Sequence, residues 1–329
     1  CKRLINLVDE KFLLKSYIII QEELFLEVKE KGMLYQKKQE ETLTEELFKN
    51  PSGEYRGAPF WAWNCKVTKE QIDDQTEIFL RMGMGGAHIH CRTGMNIPYM
   101  SEEFLDQVSY AHEKFREKGM LTWLYDEDRW PSGYGGGFVT KDPEFRMRFL
   151  VFSPEEIPEG VPEDRGRDVS AAVIIRSASR KLLKRYGVLL NADGTMEDYR
   201  ALEDGEEIPE GYDPWYAYLE ISGDNVWFNN QAYVNTLDEK AIARFLEVTH
   251  EKYGEKMGEY FGKDIPAIFT DEPQFAHKTR LGRAHDRKAQ FIPYTDDFEE
   301  TYEAAYGEEF LKYLPEVFWE RAEEPVSET

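Results

Sequence analysis

The chain has 329 residues, and its 41 Lys and Arg face 64 Asp and Glu, for a formal charge of −23. Such an excess repels phosphate backbones and anionic membrane surfaces, so neither nucleic acid nor membrane is an expected partner. Hydrophobic residues at 41% are ample for a core, while three cysteines, Cys1, Cys65 and Cys91, odd in number and without metal-ligand spacing, suggest neither a disulfide framework nor a zinc site.

Residues 1–50 are rich in Lys and Glu with scattered Leu and Phe, which predicts a helical or partly disordered extension. Its most apolar stretch, Phe12 to Ile20, is too short to span a membrane and is interrupted by Lys15. The Gln21-Glu22-Glu23 that follows offers no small-residue cleavage site. A cytoplasmic protein is expected, with secretion of a longer parent as the alternative.

Residues 51–140 carry three segments that begin apolar and finish in polar or aromatic groups: Gly57 to Asn64, Gly85 to Arg92, and Leu121 to Trp130. Helical periodicity fills the gaps. Thr68 with Gln71 makes a capping box before Ile72, Phe79 and Met82; Ser101 precedes two glutamates and then Phe104, Val108, Ala111 and Phe115, until Gly119 stops the run. Residues 141–235 differ in texture. Val173-Ile174-Ile175, Leu189-Leu190, Tyr216 to Ile221 and Val226-Trp227-Phe228 read as short strands, with hairpin signals at Asn191 to Gly194 and Ser222 to Asn225. They predict a small antiparallel insertion, either shaping substrate entry or merely decorating the surface.

Over residues 236–329, Asp238 opens a third helix with Ile242, Phe245, Thr249, Tyr253, Tyr260 and Phe261, ended by Gly262. A fourth apolar segment follows, from Ile265 to Phe269, ending abruptly in Asp271 and Glu272 before Pro273, which cannot donate to a ladder. Strand and helix thus alternate four times, which implies a parallel sheet with right-handed crossovers. An open dinucleotide-binding sheet would want a glycine-rich turn entering a helix. Gly83 to Gly86 precedes a strand, and Gly133 to Gly137 opens no obvious amphipathic helix, so both read as tight turns. The expected fold is therefore a (β/α)8 TIM-type barrel. Only about four of its eight strands find a place, so we expect a truncated barrel with exposed edges unless its missing C-terminal half is supplied.

At the C-terminal edge of such a barrel, Glu272 is the candidate general acid, since the adjacent Asp271 could raise the proton affinity of either carboxyl. Asp126 and Asp128 share a side if their strand persists, with Glu127 opposite; they could bind sugar hydroxyls or a hard cation such as calcium, or simply pair with Arg129. His88 and His90 share a face at the end of the second strand, followed by Arg92, and could hydrogen-bond substrate hydroxyls or assist a metal, though a lone histidine is usually structural. Trp61, Trp63 and Trp130 offer indole faces suited to sugar rings, though each could equally be core. Several carboxylates and aromatics without a basic cluster favour a carbohydrate site over a phosphate site.

The segments Pro59-Phe60-Trp61-Ala62-Trp63-Asn64, Gly85 to His90, Trp123 to Gly133, Phe269-Thr270-Asp271-Glu272-Pro273 and Tyr294 to Phe298 resemble the α-L-rhamnosidase-like enzymes of glycoside hydrolase family 106. The resemblance covers most of residues 54–320 and implies a barrel hydrolase that cleaves terminal deoxysugars by inversion, with calcium in the site. Glu272 looks like the acid that protonates the leaving oxygen. Inversion also needs a second carboxylate as base, which is expected beyond Thr329. A noncatalytic carbohydrate-binding or remnant protein, or a barrel glycosidase for another sugar, is the alternative.

Overall fold

A computed structural model of the protein describes residues 42–160 and 172–321. Most of the expected N-terminal extension, residues 1–41, lies outside the described residues. From its remainder, Glu45–Lys49 forms a short helix whose N-cap, Thr44, accepts from the Leu47 amide at 3.1 Å. Among the described residues nine strands follow: β1 (Phe60–Trp63), β2 (Gly86–Cys91), β3 (Leu121–Tyr125), β4 (Arg148–Ser153), β5 (Lys181–Leu190), β6 (Met196–Leu202), β7 (Asp213–Ile221), β8 (Ile268–Phe269) and β9 (Gln290–Pro293). They divide between two compact units of the described residues, one formed by residues 42–139 with Ile242–Pro273, the other by the described part of Thr140–Ala241 with residues 274–321.

The first unit holds a four-stranded parallel sheet in the order β1-β2-β3-β8. The strands lie in chain order, with β4 to β7 of the other unit intervening between β3 and β8, and there is no reversal of the kind that marks a doubly wound sheet. The fold is α/β, and among the described residues the sheet does not close into a barrel. Its helices begin where the sequence predicts. Thr68 and Gln71 exchange both hydrogen bonds of a capping box ahead of Lys69–Arg81, and Ser101 caps Glu102–Glu117 by accepting from the Phe104 amide. That helix stops at Gly119, whose φ of +66° lets the Met120 amide turn back to the Phe115 carbonyl at 2.9 Å. Ile72, Phe104, Val108, Ala111 and Phe115, all buried, line the helix faces turned to the sheet. Burying each larger side chain of this set stabilises by about 1.5–3 kcal/mol.

Two elements depart from expectation for visible reasons. The third helix begins after Asp238, which accepts from the Lys240 amide, but its α-helical part Glu239–Leu246 gives way to a π-helical turn, Glu247–Glu251, before Lys252–Met257. Thr249 Oγ1 donates to the Phe245 carbonyl at 2.6 Å, so a hydroxyl takes the acceptor that a regular helix would offer to the amide at that position. β8 is only two residues long, flanked by Pro266 and Pro273, yet β3 pairs along a longer stretch: the Thr122, Leu124 and Asp126 amides donate to the carbonyls of Asp264, Ala267 and Phe269.

The second unit is a five-stranded antiparallel sheet, β6-β5-β7-β4-β9. The Asn191 to Gly194 hairpin is present between β5 and β6, with Asp193 accepting from the Thr195 amide and hydroxyl. Val173 to Ile175 is no strand, and Val226–Phe228 is a 3₁₀ turn capped by Asn225 rather than a strand. The expected boundary at residue 236 also gives way. Instead of flanking the parallel sheet throughout, residues from 274 belong to the antiparallel unit, because β9 pairs β4 and because Tyr302, Phe310, Leu314 and Trp319 pack with Phe152, Tyr186 and Trp215 in one core.

Candidate functional site

The parallel unit has two unlike faces. Alternation along β1 sends Trp61 and Trp63 to the helix side, where both are buried: Trp61 lies against Phe79 and Phe115 and donates its indole N–H to Gln75, and Trp63 lies edge-on to Phe104. The two tryptophans expected to meet a sugar ring are placed in the core instead. The opposite face carries Phe60, His88, His90, Trp123, Tyr125 and Phe269. The His90 ring stacks on Tyr125 at 3.7 Å, the His88 ring on Trp123 at 5.3 Å, and Phe60, 54% exposed, is edge-on to both imidazoles. His88 and His90 therefore share a face as expected, and Arg92, exposed beyond the end of β2, bears electrostatically on both His90 and Asp271.

At the strand ends lies a network of polar groups. β3 ends at Tyr125, so the alternation expected for Asp126 and Asp128 does not persist. Asp126 is fully buried. Its Oδ1 accepts from the Ser132 hydroxyl at 2.6 Å and its Oδ2 from the Thr270 hydroxyl at 2.6 Å, with His250 Nε2 at 3.5 Å. The π-helical turn that carries His250 is what delivers this imidazole to Asp126. Burial pushes the Asp126 carboxyl up to about 7, against the pull of its two hydroxyl donors, and burial pushes His250 down to about 4.

Glu127, also fully buried, points into the glycine run. Its two oxygens accept from the amides of Asp128, Gly133, Gly135 and Gly136 at 2.6–2.9 Å. Burial raises the proton affinity of this carboxyl, and the four amides oppose that shift by holding its charged form. Gly136 must be glycine: its φ is +62°, and a Cβ there would meet the Tyr99 ring at 2.7 Å. Asp128 pairs with Arg129 at 3.0 Å. The loop closed in this way presents Trp130, whose indole N–H donates to Glu272 Oε2 at 3.0 Å.

Glu272 is exposed and adopts φ +44°, the left-handed region. The preceding Asp271 is clamped by Ser132, whose hydroxyl accepts from the Asp271 amide at 2.9 Å while its own amide donates to the Asp271 carbonyl at 2.9 Å. The Asp271 side chain accepts from the Tyr125 hydroxyl at 3.2 Å and stands 3.8 Å from His90 Nε2. Burial raises its proton affinity, with the neighbouring Glu272 charge acting in the same direction. Burial first, and then Arg92, press His90 down to about 4; burial also lowers His88.

The structure thus brings Glu272, Asp271, Trp130, Asp126, His90 and His88 to the same end or face of one sheet, and leaves Trp61 and Trp63 out. Ser132, Thr270, Tyr125 and His250 complete the network without having been singled out in the sequence. Among the described residues no group of three or more His, Cys, Asp or Glu side chains is arranged to hold a metal ion.

No protein-family model matches the chain, and no curated protein does. Among solved structures, a rhamnosidase from Novosphingobium sp. PP1Y is similar over 82% of this chain and 42% of its own, with 13% identity and a TM-score of 0.48. The chain thus spans less than half the length of that enzyme. No helix among the described residues is long and apolar enough to cross a membrane.

Proposed function

We propose that the chain carries the acid half of a glycoside hydrolase site, acting on terminal α-L-rhamnosides or related deoxysugar glycosides. The observation that carries this reading is the setting of Glu272: a carboxyl at the end of a parallel strand, displayed in a left-handed conformation, with Oε2 held by the Trp130 indole at 3.0 Å and Asp271 beside it. In this reading the indole N–H orients the carboxyl through Oε2, and Glu272 supplies a proton to the leaving group. As the bond from the anomeric carbon to the leaving oxygen breaks, Glu272 gives that proton to the oxygen, and water adds to the anomeric carbon with a second carboxylate taking its proton. The sequential parallel order β1-β2-β3-β8 supports reading the sheet as the first half of a (β/α)8 barrel, where catalytic groups gather at the C-terminal strand ends. His88, His90, Asp271 and Trp130 would contact the sugar, with Arg92 at the margin. Asp126 would act behind them, and Trp61 and Trp63 have no part.

The test is release of the aryl alcohol from an aryl α-L-rhamnoside by a chain extended to include a complete barrel, beside its Glu272→Gln variant. The substitution keeps the shape and removes the proton. Loss of turnover by about 10²-fold or more with sugar binding retained is expected; unchanged turnover overturns the assignment of the acid.

A further inference from the structure

The tautomer of His90 is fixed by its surroundings. Nδ1 lies 3.2 Å from the Cys91 carbonyl oxygen, which can only accept, so Nδ1 carries the proton and Nε2 presents a bare lone pair. Nε2 is buried and meets no hydrogen-bond donor among the described residues. Across from it, at 3.8 Å, is Asp271 Oδ2, another acceptor, already receiving the Tyr125 hydroxyl. Two acceptors facing one another at the margin of a buried site leave a place that only donors can fill, and an unmade hydrogen bond of this kind is costly to keep.

We propose that His90 Nε2 and Asp271 Oδ2 form a two-acceptor site for adjacent hydroxyl groups of a sugar, each hydroxyl donating to one acceptor. The inference rests on the carbohydrate reading of the site and goes further, by naming the polarity of the contact: the ligand donates, and the protein accepts. Neighbouring ring hydroxyls project side by side, which suits two acceptors a little farther apart than a single hydrogen bond. The carboxylate side of the pair opens to solvent, since the Asp271 side chain keeps 16% exposure against 1% for His90, and Phe60 beside the imidazole offers an exposed apolar ring to the carbon face of a sugar.

The test is nitrogen-detected NMR of the protein labelled in its histidine rings, titrated with L-rhamnose and with a 2,3-di-O-methyl rhamnoside that keeps the ring and loses both donors. In the free protein at neutral pH the His90 signals should show a protonated Nδ1 and an unprotonated Nε2. L-Rhamnose should then move Nε2, the methylated sugar should not, and His90→Phe, which keeps the ring stacked on Tyr125, should weaken rhamnose binding about tenfold or more. The opposite tautomer, equal binding of the methylated sugar, unchanged affinity in His90→Phe, or no response to L-rhamnose or D-mannose, which points to a trapped water, would each overturn the proposal. Aryl rhamnoside hydrolysis measured in parallel keeps the two readings apart. Turnover and affinity that survive in His90→Phe remove the acceptor site and leave the hydrolase, whereas His90-dependent binding without hydrolysis of any glycoside does the reverse.

Discussion

Ser132 holds both main-chain groups of Asp271. The Ser132 hydroxyl accepts from the Asp271 amide and the Ser132 amide donates to the Asp271 carbonyl, each at 2.9 Å, while the same hydroxyl donates to Asp126 at 2.6 Å. One small buried side chain thereby ties the loop after β3 to the end of β8.

Ser132→Ala removes that hydroxyl and leaves the Asp271 amide and Asp126 Oδ1 each short of a partner. Removing one member of a buried hydrogen-bonded set costs about 1–3 kcal/mol. The expected result is a lower urea midpoint with an unchanged m-value, and easier proteolysis of the 126–137 loop. A midpoint equal to wild type would mean that the two strand ends are held without Ser132.

The pH dependence of stability carries a signature of Asp126. Burial lifts its folded value to about 7, above the ordinary carboxylate value of about 3.9. Its contribution is therefore fully present below pH ~4 and is lost as pH rises through 7. Between pH 5 and 8 the loss amounts to about 2–3 kcal/mol from this group. His90 and His250, both depressed to about 4, act in the opposite sense, and their contribution is lost as pH falls from about 6.5 through 4. Subtracting the stability curve of Asp126→Asn from that of wild type isolates the carboxylate. A difference that is flat from pH 5 to 8 would contradict the raised value.

Trp63→Ala and Trp61→Ala should behave as core truncations, each costing about 3–5 kcal/mol. Sugar affinity, measured under conditions where the variants remain folded, should not change. A tryptophan that stacked on a ligand would show the reverse: little loss of stability and a marked loss of binding.

The pattern of caps and periodicity located the helices because each signal acts over three or four residues: Thr68 with Gln71, Ser101, and Gly119 work as short-range physics. The apolar strands were legible for the same reason, and with them the sites of Glu272, Asp271, His88 and His90 at their ends. What sequence could not supply was facing. Trp61 and His88 occupy strand positions of similar appearance, and only the register, Trp61 beside Ile89 and Phe60 beside His88, sends one into the core and the other to the open face. His250 was hidden because a regular helix is the default expectation, and its place beside Asp126 depends on the π-helical turn at Thr249. β9 was missed because its partner, β4, lies about 140 residues earlier and nothing local marks Gln290–Pro293 as a strand.

The glycine run after Trp130 has the chemistry of an anion receptor, since its amides converge and its positive φ values turn successive N–H groups inward. Glu127 fills that receptor from within the same chain. A loop that would invite comparison with nucleotide-binding turns is thus already saturated by its own ligand, and it spends its donors on shape, not on capture. Shortening this carboxylate to alanine would leave four converging amides, buried with it, without their acceptor.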